Sequence, residues 1–384
     1  MALDVNTISI IAFYAALILL IFLNRHKITR QGPLLLYHSK RGIKTMDKLA
    51  KRFKKFWHYW SLVGIPIMFA ASAFIFGFLA YNIYKFITIP GTAGGVALAL
   101  PGVRIPGSPI FLPFWYGVIS LILVLVVHEG AHGVIARVRN LKIKSTGVGL
   151  LIAIPLAFVE PDEKKLSKAP YRDQLSILAA GPFSNLCTAG LLILIGSFLL
   201  VPATIQAISP EGVEIVGVVE GFPADLAGLK SEDLIVGING QSIRTIGNLT
   251  EIFESSQPGD ILTFETVDGQ FIEVMTIEDP QNSSKAHIGI QFTQSIEYKK
   301  GAFGTIGPRI LFMLTNLFNW AIALNLGIGA INMLPLSIMD GGRMFELALQ
   351  KHVKNKQTRK TVWLTVSLIA SFLLILNIVG PYIF

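Results

Sequence analysis

Six apolar runs, each close to the length of a membrane crossing, constrain this chain more than any other feature. They are Ile8–Leu23, Ser61–Thr88, Leu112–Ala136, Leu175–Val201, Pro308–Leu334 and Val362–Ile383. A helix needs about 20 apolar residues to cross about 30 Å of hydrocarbon. Only 15% of the 384 residues are charged and 52% are hydrophobic, whereas a soluble domain carries roughly 25% charge. The expected fold class is therefore a polytopic α-helical membrane protein with about six transmembrane helices. No basic residue precedes the first run and no small-residue cleavage site follows it, so it reads as a retained helix, not a removed signal peptide.

Charge sets the orientation. Arg25–His58 holds 11 Lys/Arg against one acid, Asp47; Arg137–Arg172 holds 8 and Arg343–Lys360 holds 6. Those segments carry 25 of the 33 basic residues, and short basic loops stay cytoplasmic. Six spans with an outside N-terminus put all three on the inside. Pro202–Gly307 then falls outside, with 5 basic and 15 acidic residues. The net charge of +9 thus belongs to the positive-inside pattern and calls for no nucleic-acid partner.

The expected organisation is residues 1–60, an N-terminal span and a basic cytoplasmic amphipathic segment; 61–201, the first part of the membrane core; 202–307, an inserted extracytoplasmic domain; and 308–384, the second part of the core. His38–Trp60 reads either as a basic helix drawn to anionic lipid on the cytoplasmic face or as a positive-inside determinant alone. Val148–Val159 is apolar but about 12 residues long and contains Pro155, which fits a short re-entrant or interfacial element. Pro90–Pro113, rich in Gly and Pro, reads as an irregular extracytoplasmic loop. The single cysteine, Cys187, excludes an internal disulfide and reads as a small buried residue.

Chemistry concentrates at Val124–Asn140, "VLVVHEGAHGVIARVRN". His128 and His132 are four apart, so on a helix both imidazoles share a face and can reach one metal ion. Glu129 can address a metal-bound water without being a ligand. In this H-E-x-x-H arrangement Zn²⁺ lowers the pKa of bound water to about 7, and the glutamate takes its proton as hydroxide attacks a carbonyl. Inside a span the signal sharpens, because a charged group there costs roughly 2.5–3.5 kcal/mol and such residues are functional by default. Their bland reading is as interfacial residues at a cytoplasmic helix end.

A catalytic zinc takes a third protein ligand and keeps one position open. Asp340, in "INMLPLSIMDGGRMFE" (Ile331–Glu346), follows the fifth span, which ends on the same side as the third. The alternative for Asp340 is a helix N-cap before Met344–Gln350. In "AAGPFSNLC" (Ala179–Cys187), Gly181 and Pro182 loosen the fourth span. Asn185 offers an amide for a helix–helix hydrogen bond or for a catalytic contact.

"HEGAH", "GPFSN" and "NMLPLSIMDGG", in that order over some 215 residues, resemble the site-2 protease family of intramembrane zinc metalloproteases. The resemblance implies that His128, His132 and Asp340 bind one catalytic zinc and that Glu129 is the catalytic acid/base. It also implies that Asn185 positions substrate or the oxyanion, and that Asn332 and Pro335 shape the path to the metal. Met339 stands where the family often has Leu, an apolar exchange that leaves the ligand assignment intact. The element at Val148–Val159 is similar to the family's membrane-inserted β segment.

Within the acidic segment, Val213–Val219 and Leu234–Ile238 read as strands, with turns at Asn239–Gly240 and Asp268–Gly269. "PADLAGLKSEDLIVGINGQSI" (Pro223–Ile243) resembles a PDZ domain, a soluble α+β module, with Glu232 at a turn position usually held by Gly. Such a domain implies either capture of an extended peptide or a size filter against bulky ectodomains. His287 lies in a polar stretch and is not expected to be a ligand.

The leading expectation is a zinc metalloendopeptidase of the lipid bilayer, in a prokaryotic cell membrane rather than an organelle, cleaving single-span membrane proteins already trimmed outside. The alternative is a non-catalytic membrane-anchored PDZ scaffold or a zinc-binding pseudoprotease, for which Glu129 would have no use. Zinc transport would call for more ligands along a path than the one cluster present.

Overall fold

With no water in hydrocarbon, every backbone polar group must be paired within the chain, and helices do this locally. The apolar runs fold accordingly. The structure, a computed structural model, describes residues 5–32, 34–88, 96–105, 110–151, 154–279, 282–300 and 304–380. It divides into two units: residues 1–85, 93–195 and 316–383 form one, and residues 86–92 and 196–315 the other.

The first unit opens with α1 (Val5–Leu23), strands β1 (Ile28–Gln31) and β2 (Leu34–Ser39), and helices α2 (Ile43–Arg52), α3 (Lys54–Thr88) and α4 (Phe114–Val138). A hairpin of β3 (Ile143–Leu151) and β4 (Ile154–Pro161) follows, then α5 (Glu163–Leu166) and α6 (Tyr171–Ile195). The second unit holds α7 (Val201–Ala207), β5 (Ile208–Val218), α8 (Pro223–Ala227), β6 (Leu234–Ile238), β7 (Gln241–Ser242) and α9 (Ile246–Ser255). Its remaining strands are β8 (Ile261–Thr266), β9 (Phe271–Met275), β10 (Ile277–Asp279), β11 (Asn282–His287) and β12 (Ile290–Tyr298). The chain closes with α10 (Ile306–Met333), α11 (Asp340–His352) and α12 (Lys356–Val379).

Among the described residues five helical stretches are long and apolar enough to cross a membrane: Lys54–Thr88, Phe114–Val138, Tyr171–Ala207, Ile306–Met333 and Lys356–Val379. Thr7–Leu23 is apolar but shorter. Side chains such as Phe74, 70% exposed, and Leu368, 67% exposed, stand largely outside the packed interior, as lipid-facing groups do. The molecule is an integral membrane protein with a separate sheet unit.

In the first unit the strands form one antiparallel sheet in the order β1-β2-β3-β4. The apolar segment Val148–Val159 is thus a hairpin, with Val148 facing Ala157 and Thr146 facing Val159. On its other side β3 takes up β2, pairing Tyr37 with Val148 and His38 with Gly147. Gly147 has no room for a side chain, since a Cβ there would run into the Tyr37 carbonyl and the Phe158 ring.

The basic stretch His38–Trp60 is therefore not one helix, a correction to the sequence expectation. His38 and Ser39 belong to β2, only Ile43–Arg52 forms the amphipathic α2, and Lys54–Trp60 already belongs to the long α3. Besides its neighbour β1, β2 pairs with β3 about 110 residues away, and that long-range pairing has no local periodicity to announce it. Arg137 on α4 pairs with Asp47 on α2. Of the Gly/Pro-rich segment, residues 90–95 and 106–109 lie outside the described residues; Leu100 and Val103 form an isolated bridge.

Two apolar clusters hold the functional helices in register. Ala131, Ile135 and Ala136 of α4 pack with Ile177 and Ala180 of α6 and with Trp57 and Trp60. Met68, Leu175, Ala179, Phe183, Met333 and Met344 join α3, α6, α10 and α11. Asn377 of α12 donates to the Leu79 carbonyl of α3 at 2.9 Å, an interhelical bond of the kind that substitutes for the missing hydrophobic drive in lipid.

In the second unit the sheet order is β12-β5-β6-β8-β9, with β7 beside β6 and a separate β10–β11 pair. Its core contains Val213, Ile215, Ile235, Ile238, Leu249, Leu262, Phe264 and Val274. Asn239 and Gly240, with φ of 53° and 76°, make the tight turn into β7 that positive φ at both positions requires. Glu232 adopts φ 78°, the left-handed conformation that explains why glycine is usual there. His287 lies 3.5 Å from Asp279 and packs edge-on to Phe222.

Candidate metal centre

One turn of α4 brings His128 and His132 to the same face, with ring centroids 4.8 Å apart. Both Nε2 atoms lie 3.2 Å from Asp340 Oδ2. The three side chains are largely shielded, with exposures of 9%, 14% and 15%. Ligand atoms of His128, His132 and Asp340 all fall within 4.8 Å of one another, and among the described residues they form the single group able to hold a metal ion.

Asp340 reaches this point because α10 stops at Met333 and the chain turns sharply before α11. Leu336 N–H donates to the Leu334 carbonyl at 2.8 Å and Met339 N–H to the Leu336 carbonyl at 2.9 Å. A Cβ at Gly341 would strike the Met333 carbonyl, and one at Gly342 the Leu336 carbonyl, so only glycine lets the turn fold so tightly. The helix begins at Asp340 itself and Met339 occupies the cap. The carboxylate is thus not an N-cap; it is directed at the imidazoles, at a helix start where the dipole favours negative charge.

α6 forms the opposite wall. His132 Nδ1 lies 2.6 Å from the Ile177 carbonyl, and the fully buried Asn185 places Nδ2 3.1 Å from His128 Nδ1. Midway, a Cβ on Gly181 would collide with His132 Nε2 and stand 2.6 Å from His128 Nε2. Gly181 therefore leaves open the space in front of both ligand nitrogens. From the sequence it reads as a residue that loosens the span and permits close helix approach; that the approaching groups are the two imidazoles is decided by the packing of α4 and α6. The Ile177 carbonyl carries no side-chain signal at all.

Glu129 points elsewhere, accepting from Val159 N–H of β4 at 2.9 Å. It also lines a cavity of about 840 Å³ walled by α2, the start of α3, α4, the hairpin and α6. Trp57, Trp60, Val148, Cys187 and Leu191 contribute to the walls. Cys187 is exposed to this cavity rather than packed away, a second correction to the sequence expectation. Its position on α6 is two residues past Asn185.

Asn332 donates to the Ile328 carbonyl one turn back at 3.0 Å and lines a small cavity with Pro182, Gly341 and Met344. Pro335 lies in the turn before Asp340, and its carbonyl accepts from Ser367 of α12 at 2.8 Å.

Helices of membrane length and a two-imidazole, one-carboxylate cluster with a glutamate alongside define a membrane-embedded metallopeptidase. Residues 116–376 match the family model described as Peptidase family M50, and the chain belongs to that family, whose members are zinc metalloproteases of the site-2 type. An uncharacterized protein, MJ0971, of Methanocaldococcus jannaschii is 27% identical over 325 residues, covering 84% of this chain and 79% of that one. Zinc metalloprotease RasP of Geobacillus kaustophilus is 25% identical over 251 residues, covering 50% of this chain and 56% of RasP. Among solved structures, the PDZ domain of an SdrC-like protein from Listeria innocua is 26% identical, covering 23% of this chain and all of that one, with a TM-score of 0.19.

Proposed function

We propose that the chain hydrolyses peptide bonds within or near the transmembrane segments of single-span membrane proteins, using one catalytic zinc. The observation that carries this reading is the approach of His128 Nε2 and His132 Nε2, each within 3.2 Å of Asp340 Oδ2. Two imidazoles and a carboxylate suit Zn²⁺ and leave its fourth position open. The gap above Gly181 suits the same ion. His128, His132 and Asp340 would hold it. Once bound, zinc supplies Lewis acidity, which polarises a carbonyl and acidifies a water.

The protein's own groups do the rest. Glu129 is the general acid/base: it takes a proton from the attacking water and returns it to the departing amine. It follows His128 directly in sequence, so it stays at the edge of the site without entering the donor set. General acid–base catalysis of this kind contributes about 10²–10⁴-fold. The apolar cavity beside Glu129 would hold an unwound apolar segment and keep bulk water away. β4 is an edge of its sheet, which supports strand-like pairing with the substrate. Asn332 and Pro335 would shape the approach by fixing the turn that presents Asp340.

The same reading has six spans with α1 crossing, the N-terminus outside, and the basic segments and zinc site near the cytoplasm of a prokaryotic cell membrane. The β3–β4 hairpin is then the re-entrant element. Residues 202–307 form an extracytoplasmic PDZ-like domain that filters or docks the substrate's ectodomain, so that substrates arrive already trimmed. Residues 1–60, 61–201 and 308–384 make up the membrane-bound parts.

The test uses the full-length chain in lipid and a single-span substrate. Glu129→Gln is expected to keep about one zinc per chain by elemental analysis while cleavage disappears. Wild-type cleavage by that variant would remove Glu129 from its role. Absence of zinc from the wild-type chain would overturn the reading as a whole.

A further inference from the structure

We propose that Asn185 is a positioning residue that acts through His128, holding the imidazole in the tautomer that binds metal. The inference rests on the zinc reading above and assigns to Asn185 a task different from contact with the oxyanion or the substrate.

Three observations meet at this side chain. Asn185 is fully buried. Its amide lies 3.1 Å from His128 Nδ1. Its Oδ1 is buried with no hydrogen-bond partner among the described residues. A neutral imidazole that offers the Nε2 lone pair to a metal carries its proton on Nδ1, which is then a donor. A donor at Nδ1 needs an acceptor, and the amide in front of it owns one that is unused. Turning the amide over exchanges Oδ1 and Nδ2 with almost no change of shape. Oδ1 then accepts from His128 Nδ1–H, and Nε2 is left with its lone pair toward Asp340.

The neighbouring ligand follows the same plan. His132 Nδ1 faces the Ile177 carbonyl at 2.6 Å, an acceptor that imposes the Nδ1–H tautomer. Ile177, Gly181 and Asn185 are spaced by four along α6 and so lie on one face of it. The two outer positions supply acceptors for the two imidazoles, and the middle one supplies the empty space in front of their Nε2 atoms. α6 is thus the outer shell of the metal site, and such partners usually matter about as much as a 10- to 100-fold change in metal affinity.

The geometry also separates this role from an oxyanion contact. The amide meets Nδ1 while Nε2 faces Asp340, so the imidazole ring stands between Asn185 and the place where a substrate carbonyl would be attacked.

The experiment measures metal affinity of the full-length chain in detergent by competition with a chelator, together with the visible spectrum of the cobalt(II)-loaded chain. Asn185→Leu is expected to weaken zinc binding by about 10- to 100-fold and to alter the cobalt spectrum. Asn185→Asp, whose carboxylate can still accept from Nδ1–H, is expected to restore both close to wild type. Should the Leu variant not fold, Asn185→Ala carries the same comparison. A Leu or Ala variant with wild-type zinc affinity and spectrum but reduced kcat overturns the inference in favour of an oxyanion contact. An Asp variant as weak as the Leu variant overturns it as well. A wild-type chain that takes up no metal overturns this inference and the zinc reading together, so the two failures are distinguishable.

Discussion

The backbone N–H of Val159 donates to the carboxylate of Glu129 across 2.9 Å. This bond ties the hairpin to the residue next to the first metal-ligand candidate. It orients the carboxylate along an edge strand whose outward N–H groups are not consumed by the sheet. Val159→Pro removes the donor, and an edge strand tolerates proline. Bonds to charged acceptors are worth about 1.5–3 kcal/mol. We expect kcat to fall by about 10-fold with zinc content unchanged, measured on the single-span substrate; an unchanged kcat would sever hairpin position from catalysis.

Gly181 has no tolerance for a side chain. Gly181→Ala would put a methyl group within 2.6 Å of His128 Nε2 and against His132 Nε2. The helices would have to separate, and small overpacking changes cost about 1–3 kcal/mol. We expect elemental analysis to find zinc depleted to a small fraction of one ion per chain. A chain with full zinc occupancy would mean that α4 and α6 can part freely.

Glu232 stands in left-handed backbone at φ 78°. That conformation costs a residue with a Cβ roughly 1–2 kcal/mol, and glycine adopts it freely while gaining entropy when unfolded. Glu232→Gly is expected to stabilise the sheet unit by about 1 kcal/mol, seen as slower limited proteolysis of residues 202–307 in the full chain. A variant cleaved faster than wild type would show that the Glu232 side chain contributes more than its backbone costs.

Cys187 is the chain's single cysteine and lines the cavity that Glu129 also lines. A bulky maleimide attached there would occupy space needed by a substrate segment. Labelling is expected to slow cleavage by at least about 10-fold, a step of roughly 1.4 kcal/mol, while zinc stays bound. Cys187→Ala is expected to abolish the effect of the reagent. Fast cleavage by fully labelled protein would move the substrate path elsewhere.

The N-terminal region divides along the same line as the site. A run such as Ile8–Leu23 is readable as a helix because its signal is local. Leu34–Ser39 is harder to read as a strand, because beside the short β1 its main partner is β3, more than a hundred residues on. The basic helix expected over His38–Trp60 overlaps this strand only at His38 and Ser39, where pairing with Gly147 and Thr146 of β3 took precedence over the local charge pattern.

The sequence by itself determined the helical membrane class and the pairing of His128 with His132, because 20-residue apolar runs and a spacing of four are local patterns that backbone geometry translates directly. Asp340 was also within reach, since charge asymmetry between loops predicts it on the same side as the imidazoles. Only the tertiary structure decided what surrounds them: the bare face of Gly181, the Ile177 carbonyl, the buried amide of Asn185 and the N–H of Val159 at Glu129. Those are contacts between backbones and small groups far apart in the chain. The sequence does not announce their partners, because their value comes from what packs against them and not from their neighbours in sequence.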